Sequence, residues 1–163
     1  MSDPDFSEFK LWKRGNQFEH FELGQVFQHH WGRTINAGDA SLFSSVALRY
    51  CPLYVNAAYA IEQGHQDVVV DPLLVLATVI GMSVEDLSEG GGPFLGVNNV
   101  EFGAAVYPND SVTCRSEVID IRESASRPDS GIVTWRTDAV NQNGVLVVSY
   151  QRTNLVAKSR GDV

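Results

Sequence analysis

The stretch Val68-Val69-Val70-Asp71-Pro72-Leu73-Leu74-Val75-Leu76-Ala77-Thr78-Val79-Ile80-Gly81-Met82 decides the fold. Asp is a residue type that caps the free amides of a helix start, and Pro72 follows where its missing N–H costs nothing. From Leu73 to Met82 the chain is apolar on nearly every face, which predicts a helix buried all round. The run is interrupted by Asp71 and Pro72 and is too short to span a bilayer. Ser83 to Leu87 then predicts a short turn or helix, and Gly90-Gly91-Gly92-Pro93 a loop. Beyond it the chain reads as β. Gly96 to Phe102, Ser111 to Arg122, Gly131 to Asn141 and Val145 to Val156 carry β-branched or alternating patterns. Turn signals separate them, the strongest being Asn143-Gly144.

Ahead of the apolar helix, Val26 to Ile35 is rich in aromatic and β-branched residues and predicts an early strand. Asn36 caps a short amphipathic helix ending near Tyr50, with Leu42, Phe43, Val46 and Ala47 at helical spacing. Pro52 breaks it. Asn56 to Gln63 predicts a second short helix, stopped by Gly64. Residues 1–18 read as a polar arm whose Phe6, Phe9 and Trp12 are expected to dock on the body or on a partner subunit. Residues 19–157 form the domain, and 158–163 a polar, frayed tail. One strand, then helices, then an antiparallel meander is an α+β pattern. A sheet wrapped around a buried central helix satisfies it.

A chain of 163 residues, 44% hydrophobic and 20% charged, fits one domain able to bury a core without staples. Its net charge of −8 argues against nucleic acid and anionic membrane as partners, while a local patch can still hold an anionic ligand. Cys51 and Cys114 form neither a disulfide framework nor a metal-ligand pattern. With no leader pattern in Met1-Ser2-Asp3-Pro4-Asp5, the expected setting is the reducing cytoplasm. His29, His30 and His65 have no partner at ligand spacing, so no metal is expected. On a strand, His29 and His30 face opposite sides. His65, after a helix stop, is expected to be exposed.

The segment Cys51-Pro52-Leu53-Tyr54-Val55-Asn56-Ala57-Ala58-Tyr59-Ala60 carries the chemistry. Read with Arg33-Thr34-Ile35, Asp39 and Phe43, it resembles the MaoC-like (R-specific) enoyl-CoA hydratase/dehydratase family. The resemblance is strongest to the mesaconyl-CoA/itaconyl-CoA hydratase branch and covers roughly residues 17 to 157. Phe21-Glu22-Leu23-Gly24, Val79-Ile80-Gly81-Met82-Ser83-Val84, Leu95-Gly96, Val106-Tyr107-Pro108-Asn109-Asp110, Arg122 through Pro128, Asn141-Gln142 and Arg152-Thr153 fall in the same order and spacing as its marks. The resemblance implies a single hotdog fold. It implies water added to, or removed from, the 2,3 double bond of an acyl thioester on coenzyme A or a carrier protein. It also implies no cofactor beyond that carrier, and a homodimer or heterodimer with another hotdog chain.

Two departures bear on the site. Tyr54 stands where the family has its catalytic His, and Arg49 stands five residues upstream, where a carboxylate or amide shares the acid/base work. A phenol titrates near ~10 against ~6.5 for imidazole, so Tyr54 suits a donor better than a base. Arg49, always protonated, is expected to favour the phenolate if it pairs with Tyr54. Alternatively Tyr54 fills the old His pocket and Arg49 pairs with a carboxylate. Asp39 and Asn56 are the other candidate catalytic groups, the first also readable as a helix-face carboxylate. The resemblance implies that backbone amides of the helix start at Pro72-Leu73-Leu74 polarise the thioester carbonyl; the plainer reading is a capped helix start. Arg122 and Arg127 are candidates for the ligand's phosphates, with Arg33 and Arg152 as outsiders. Trp135 and Tyr150 read as sheet packing. Three functions follow: a hydro-lyase on a short or branched enoyl-CoA with a rebuilt acid/base set, a catalytically degenerate subunit that binds acyl-CoA or pairs with an active homologue, or a thioesterase using Asp39.

Overall fold

Alternation along the strands builds the sheet's inner face. A computed structural model describes residues 15–159, so Phe6, Phe9 and Trp12 of the expected arm lie outside the described residues. Five antiparallel strands, β1 (Val26–Thr34), β2 (Phe94–Phe102), β3 (Ser111–Glu123), β4 (Ser130–Asn141) and β5 (Leu146–Ala157), lie in the order β1-β3-β4-β5-β2. Val112, Cys114, Ser116 and Val118 of β3 point inward. They are opposed across the ladder by Asn141, Ala139, Thr137 and Trp135 of β4, of which the last three are buried as well. Val148, Tyr150, Arg152 and Asn154 continue this face on β5. Each strand lies within a residue or two of its predicted span, because period-2 patterning is a local signal.

Between β1 and β2 run α1 (Ala37–Val46), α2 (Pro52–Val55), α3 (Ala57–Glu62), α4 (Pro72–Met82) and α5 (Val84–Leu87). α4 seats Val75 and Val79 on the sheet, in one core cluster with Ile35, Val70, Val106, Val112, Val147 and Tyr150. This is the expected α+β hotdog arrangement. The helix is not buried all round, however. Leu73 is 42% exposed, and Ala77 and Gly81 are also open on that side. Likewise the predicted apolar stripe of α1 faces outward. Leu42 and Val46 are 66% and 75% exposed, whereas Ala40 and Ser44 are buried. Periodicity finds a face of a helix but not what the face meets.

The described start of the tail is tied down rather than frayed: Ser159 donates through its N–H to Glu19 (2.9 Å) and through its hydroxyl to Gln17 (2.6 Å). No helix among the described residues is long and apolar enough to cross a membrane.

Candidate active site

α1 ends with Ala47 as its C-cap, and Leu48 then takes a left-handed φ of 54°. The Arg49 N–H returns to the Ser44 carbonyl at 2.8 Å, a Schellman-type closure. That turn throws the Arg49 side chain onto the start of α4. Its Nε donates to Asp71 Oδ2 at 2.8 Å, and the Asp71 side chain is fully buried. The guanidinium carbon lies 5.9 Å from the Tyr54 ring centroid, so Arg49 joins Asp71 to Tyr54.

The pair does not lower the tyrosine's pKa. Burial, and then the negative charge of Asp71, push the Tyr54 phenol above its ordinary value, and the opposing pull of Arg49 is smaller. The phenolate expectation therefore fails for a reason of charge neutralisation: the guanidinium is already spent on Asp71, whose hydrogen bond and charge raise the Arg49 pKa in turn. Tyr54 is a neutral hydroxyl at pH 7, able to give up a proton but not to take one.

Tyr54 lines a small cavity of about 230 Å3 with Leu53, His65, Val70, Pro72 and Phe102 among its walls. His65 is thus part of the same cavity rather than an exposed loop residue. Gly64 with φ 89° reverses the chain after α3, the Gly64 N–H bonding Ile61 O and the His65 N–H bonding Ala60 O, both at 3.0 Å. The ring's Nδ1 lies 2.9 Å from the Tyr107 hydroxyl. Nothing in the sequence signals this pair, whose members are 42 residues apart.

The remaining candidates are held elsewhere. Asp39 Oδ2 accepts from the Asn36 N–H in a capping box, and Asp39 Oδ1 accepts from Arg33 at 2.9 Å. Asn56 Oδ1 caps α3 by accepting from the Tyr59 N–H at 3.1 Å. The Leu73 and Leu74 amides donate to Asp71 Oδ1 (2.8 Å) and to the Asp71 carbonyl (2.9 Å), so Asp71 occupies the helix start expected to polarise a thioester. Arg122 sits 3.9 Å from Asp120, both more than half exposed. Through Ile132 it lies level with Leu155, whereas the cavity reaches β5 at Val147. That is roughly 25 Å along the strand at ~3.3 Å per residue. Arg127 stands further out, in the β3–β4 turn. Trp135 and Tyr150 are fully buried packing residues.

A second pair, a buried His29 with a half-buried Asp86, was also beyond sequence reasoning. His29 Nδ1 meets Asp86 Oδ2 at 2.6 Å, and its Nε2 meets the Ser116 hydroxyl at 2.8 Å. Alternation does turn His29 inward and His30 outward. Asp86 borders a larger open cleft of about 1210 Å3, together with Trp31, Arg33, Glu85 and Glu89. Its three carboxylates repel a polyphosphate ligand, and its one cation among the described residues, Arg33, is paired with Asp39. The smaller cavity, with its hydroxyl, imidazole and apolar walls, is the better candidate site. Among the described residues no cluster of His, Cys, Asp or Glu could hold a metal.

The family model of mesaconyl-CoA hydratase matches residues 7–162. The chain belongs to this family. It is 37% identical over 147 residues to a mesaconyl-CoA hydratase of Haloarcula hispanica, covering 90% of this chain and 41% of that protein. A solved MaoC domain protein of Chloroflexus aurantiacus, described as a dehydratase, superposes with TM-score 0.86 at 34% identity, over 91% of this chain and 42% of the other. A double-hotdogfold protein of Mycobacterium tuberculosis gives TM-score 0.83 at 22% identity over 46% of its length, which shows the hotdog fold alone. The chain thus spans about two-fifths of the curated mesaconyl-CoA hydratases it matches. As a family member it carries one hotdog module, with Tyr54 on the cavity wall.

Proposed function

We infer that the chain is a MaoC-like hydro-lyase module acting on a short, branched enoyl thioester of coenzyme A, of the mesaconyl-CoA type, in the company of a second hotdog module. The cavity carries the reading. It is small and apolar enough for a short acyl chain, and it places a neutral phenol against that chain. Hydration adds a hydroxyl to C3 and a proton to C2. Tyr54 supplies the donor half: its phenol is protonated at pH 7, and Arg49, over its ring, offsets part of what burial and Asp71 impose on the phenolate formed in passing. Asp71 holds Arg49 there and caps α4 at the same time. The partner module covers the outward faces of α1 and α4, and the thioester is delivered by coenzyme A or a carrier protein.

A hydration assay of the purified full chain with mesaconyl-CoA and crotonyl-CoA, run beside Tyr54→Phe, tests the reading. Turnover that drops by about 10²–10⁴-fold in Tyr54→Phe, the usual contribution of one general acid, is expected. Absence of turnover from a folded, dimeric chain that still binds butyryl-CoA would favour the non-catalytic subunit instead.

A further inference from the structure

With Tyr54 confined to donation, the cavity still needs a group that takes a proton from water. Arg49 cannot accept one, Asp71 is buried against Arg49 and the Leu73 amide, and Asp39 and Asn56 are used as helix caps. One other wall residue has the chemistry. His65 enters the cavity lining from the far side of α3, and imidazole is the side chain that both accepts and releases a proton near neutral pH.

Resting on the hydratase reading above, we propose that His65 is the general base of this site, taking over from a new position in the fold the role that a His at position 54 would fill. Three observations converge. His65 and Tyr54 line one cavity. The backbone of His65 is pinned by the Schellman closure of α3, so the ring has a fixed origin. Its Nδ1 is engaged by the Tyr107 hydroxyl, while Nε2 makes no hydrogen bond among the described residues. Tyr107 is itself rigid: Tyr107-Pro108-Asn109-Asp110 is a turn with Asn109 at φ 76°, and the Tyr107 N–H donates to Asp110 Oδ2 at 2.8 Å. A hydrogen bond on one ring nitrogen fixes the role of the other. The proposed role assigns Nδ1–H as the donor to the Tyr107 oxygen, which leaves Nε2 with its lone pair.

Of the ionisable groups, only Tyr54 from α2 shares the described lining with His65; Tyr107, from the β2–β3 turn, meets the His65 ring outside that lining, and the Arg49–Asp71 pair lies behind Tyr54. The segment Phe102 to Val106 brings no ionisable side chain. In the hydration direction, Nε2 accepts a proton as the O–H bond of water breaks, and the oxygen bonds to C3. The π electrons move toward C2, which takes the proton from the Tyr54 hydroxyl. The imidazolium proton returns to the phenolate through solvent. Net, one water is added and both side chains are restored.

The experiment is a set of His65→Gln, His65→Ala and Tyr107→Phe variants of the full chain, assayed for mesaconyl-CoA and crotonyl-CoA hydration, with butyryl-CoA binding and thermal melting as controls. His65→Gln is expected to lose at least 100-fold in kcat with KM and butyryl-CoA affinity within about threefold. Tyr107→Phe should fall by about tenfold, since it frees the ring without removing it. Added imidazole should restore part of the His65→Ala rate, a rescue that a structural role would not show. An active wild-type chain whose His65→Gln variant keeps its rate within threefold would overturn the assignment and leave the hydratase reading standing. A wild-type chain that binds butyryl-CoA but turns over neither substrate would overturn the hydratase reading and this role with it.

Discussion

At the scale of single residues, buried groups that must stay neutral set the chain's response to pH. Burial pushes the Cys114 thiol from 9.0 up to about 12, with the charge of Asp86 adding to the effect. Tyr54 and Tyr150 are raised as well, each mainly by burial. A group whose pKa is higher folded than unfolded contributes stability that is complete below its unfolded pKa. That contribution is lost as pH rises toward the folded value, because the unfolded chain releases its proton first. For Cys114 the window opens near pH 9 and closes near 12. Its slope approaches about 1.4 kcal/mol per pH unit. Urea unfolding at pH 8, 9, 10 and 10.5 is therefore expected to show constant stability up to about pH 8.5 and a decline above it. Cys114→Ala should be less stable at pH 8, by about 1 kcal/mol for the small cavity, yet less steep between pH 9 and 10.5. Equal slopes in the two proteins would rule the thiol out as the source.

At the scale of elements, two helix ends place two polar side chains of the site. α1 delivers Arg49 and α3 delivers His65, each one residue past a left-handed position: Leu48 at φ 54° and Gly64 at φ 89°. The same geometry is occupied once by a side chain that resists it and once by glycine, which does not. Opposite outcomes are expected. Leu48→Gly should stabilise by about 1 kcal/mol, because Leu48 is exposed and loses little packing, whereas Gly64→Ala should destabilise by about 1 kcal/mol and displace His65. Chemical denaturation checks both signs, and a fall in activity restricted to Gly64→Ala would tie the turn to the site. The stop at Gly64 and the caps Asn36 and Asp71 were legible in the sequence because capping is a local matter of residue type, whereas Asn56, read as a candidate catalytic group, is itself a cap. What the turns deliver was not. Arg49–Asp71, His65–Tyr107 and His29–Asp86 join residues 22, 42 and 57 positions apart, and no pattern of period 2 or 3.6 encodes such meetings.

At the scale of the whole molecule, the core is two apolar clusters with polar groups between them. Val75, Val79, Val112 and Val148 belong to one, and Phe21, Leu87, Val133 and Trp135 to the other. Between them lie Ser116, Thr137, His29 and the buried Arg152, which donates to Asn154, Ser83 and Ser88. Ser83 and Ser88 are the C-caps of α4 and α5, so the guanidinium meets the negative ends of two helices instead of a carboxylate. Among the described residues the inner face is thus complete, and the outer one is not. Leu42, Val46, Leu48, Tyr50 and Leu73 are exposed, and β2, at the sheet edge, bears exposed Phe94, Leu95 and Phe102 beside a row of backbone groups unpaired among the described residues. An apolar surface and an open edge of this kind are stable in water only when covered. The 17.9 kDa chain is therefore expected to run as a dimer at micromolar concentration in light scattering after size exclusion. Leu42→Glu with Val46→Glu should convert it to a folded monomer, since both side chains are largely free of the chain's own core. A wild-type monomer would mean that the covering module is a different chain, and a double variant that stays dimeric would place the interface on β2 alone.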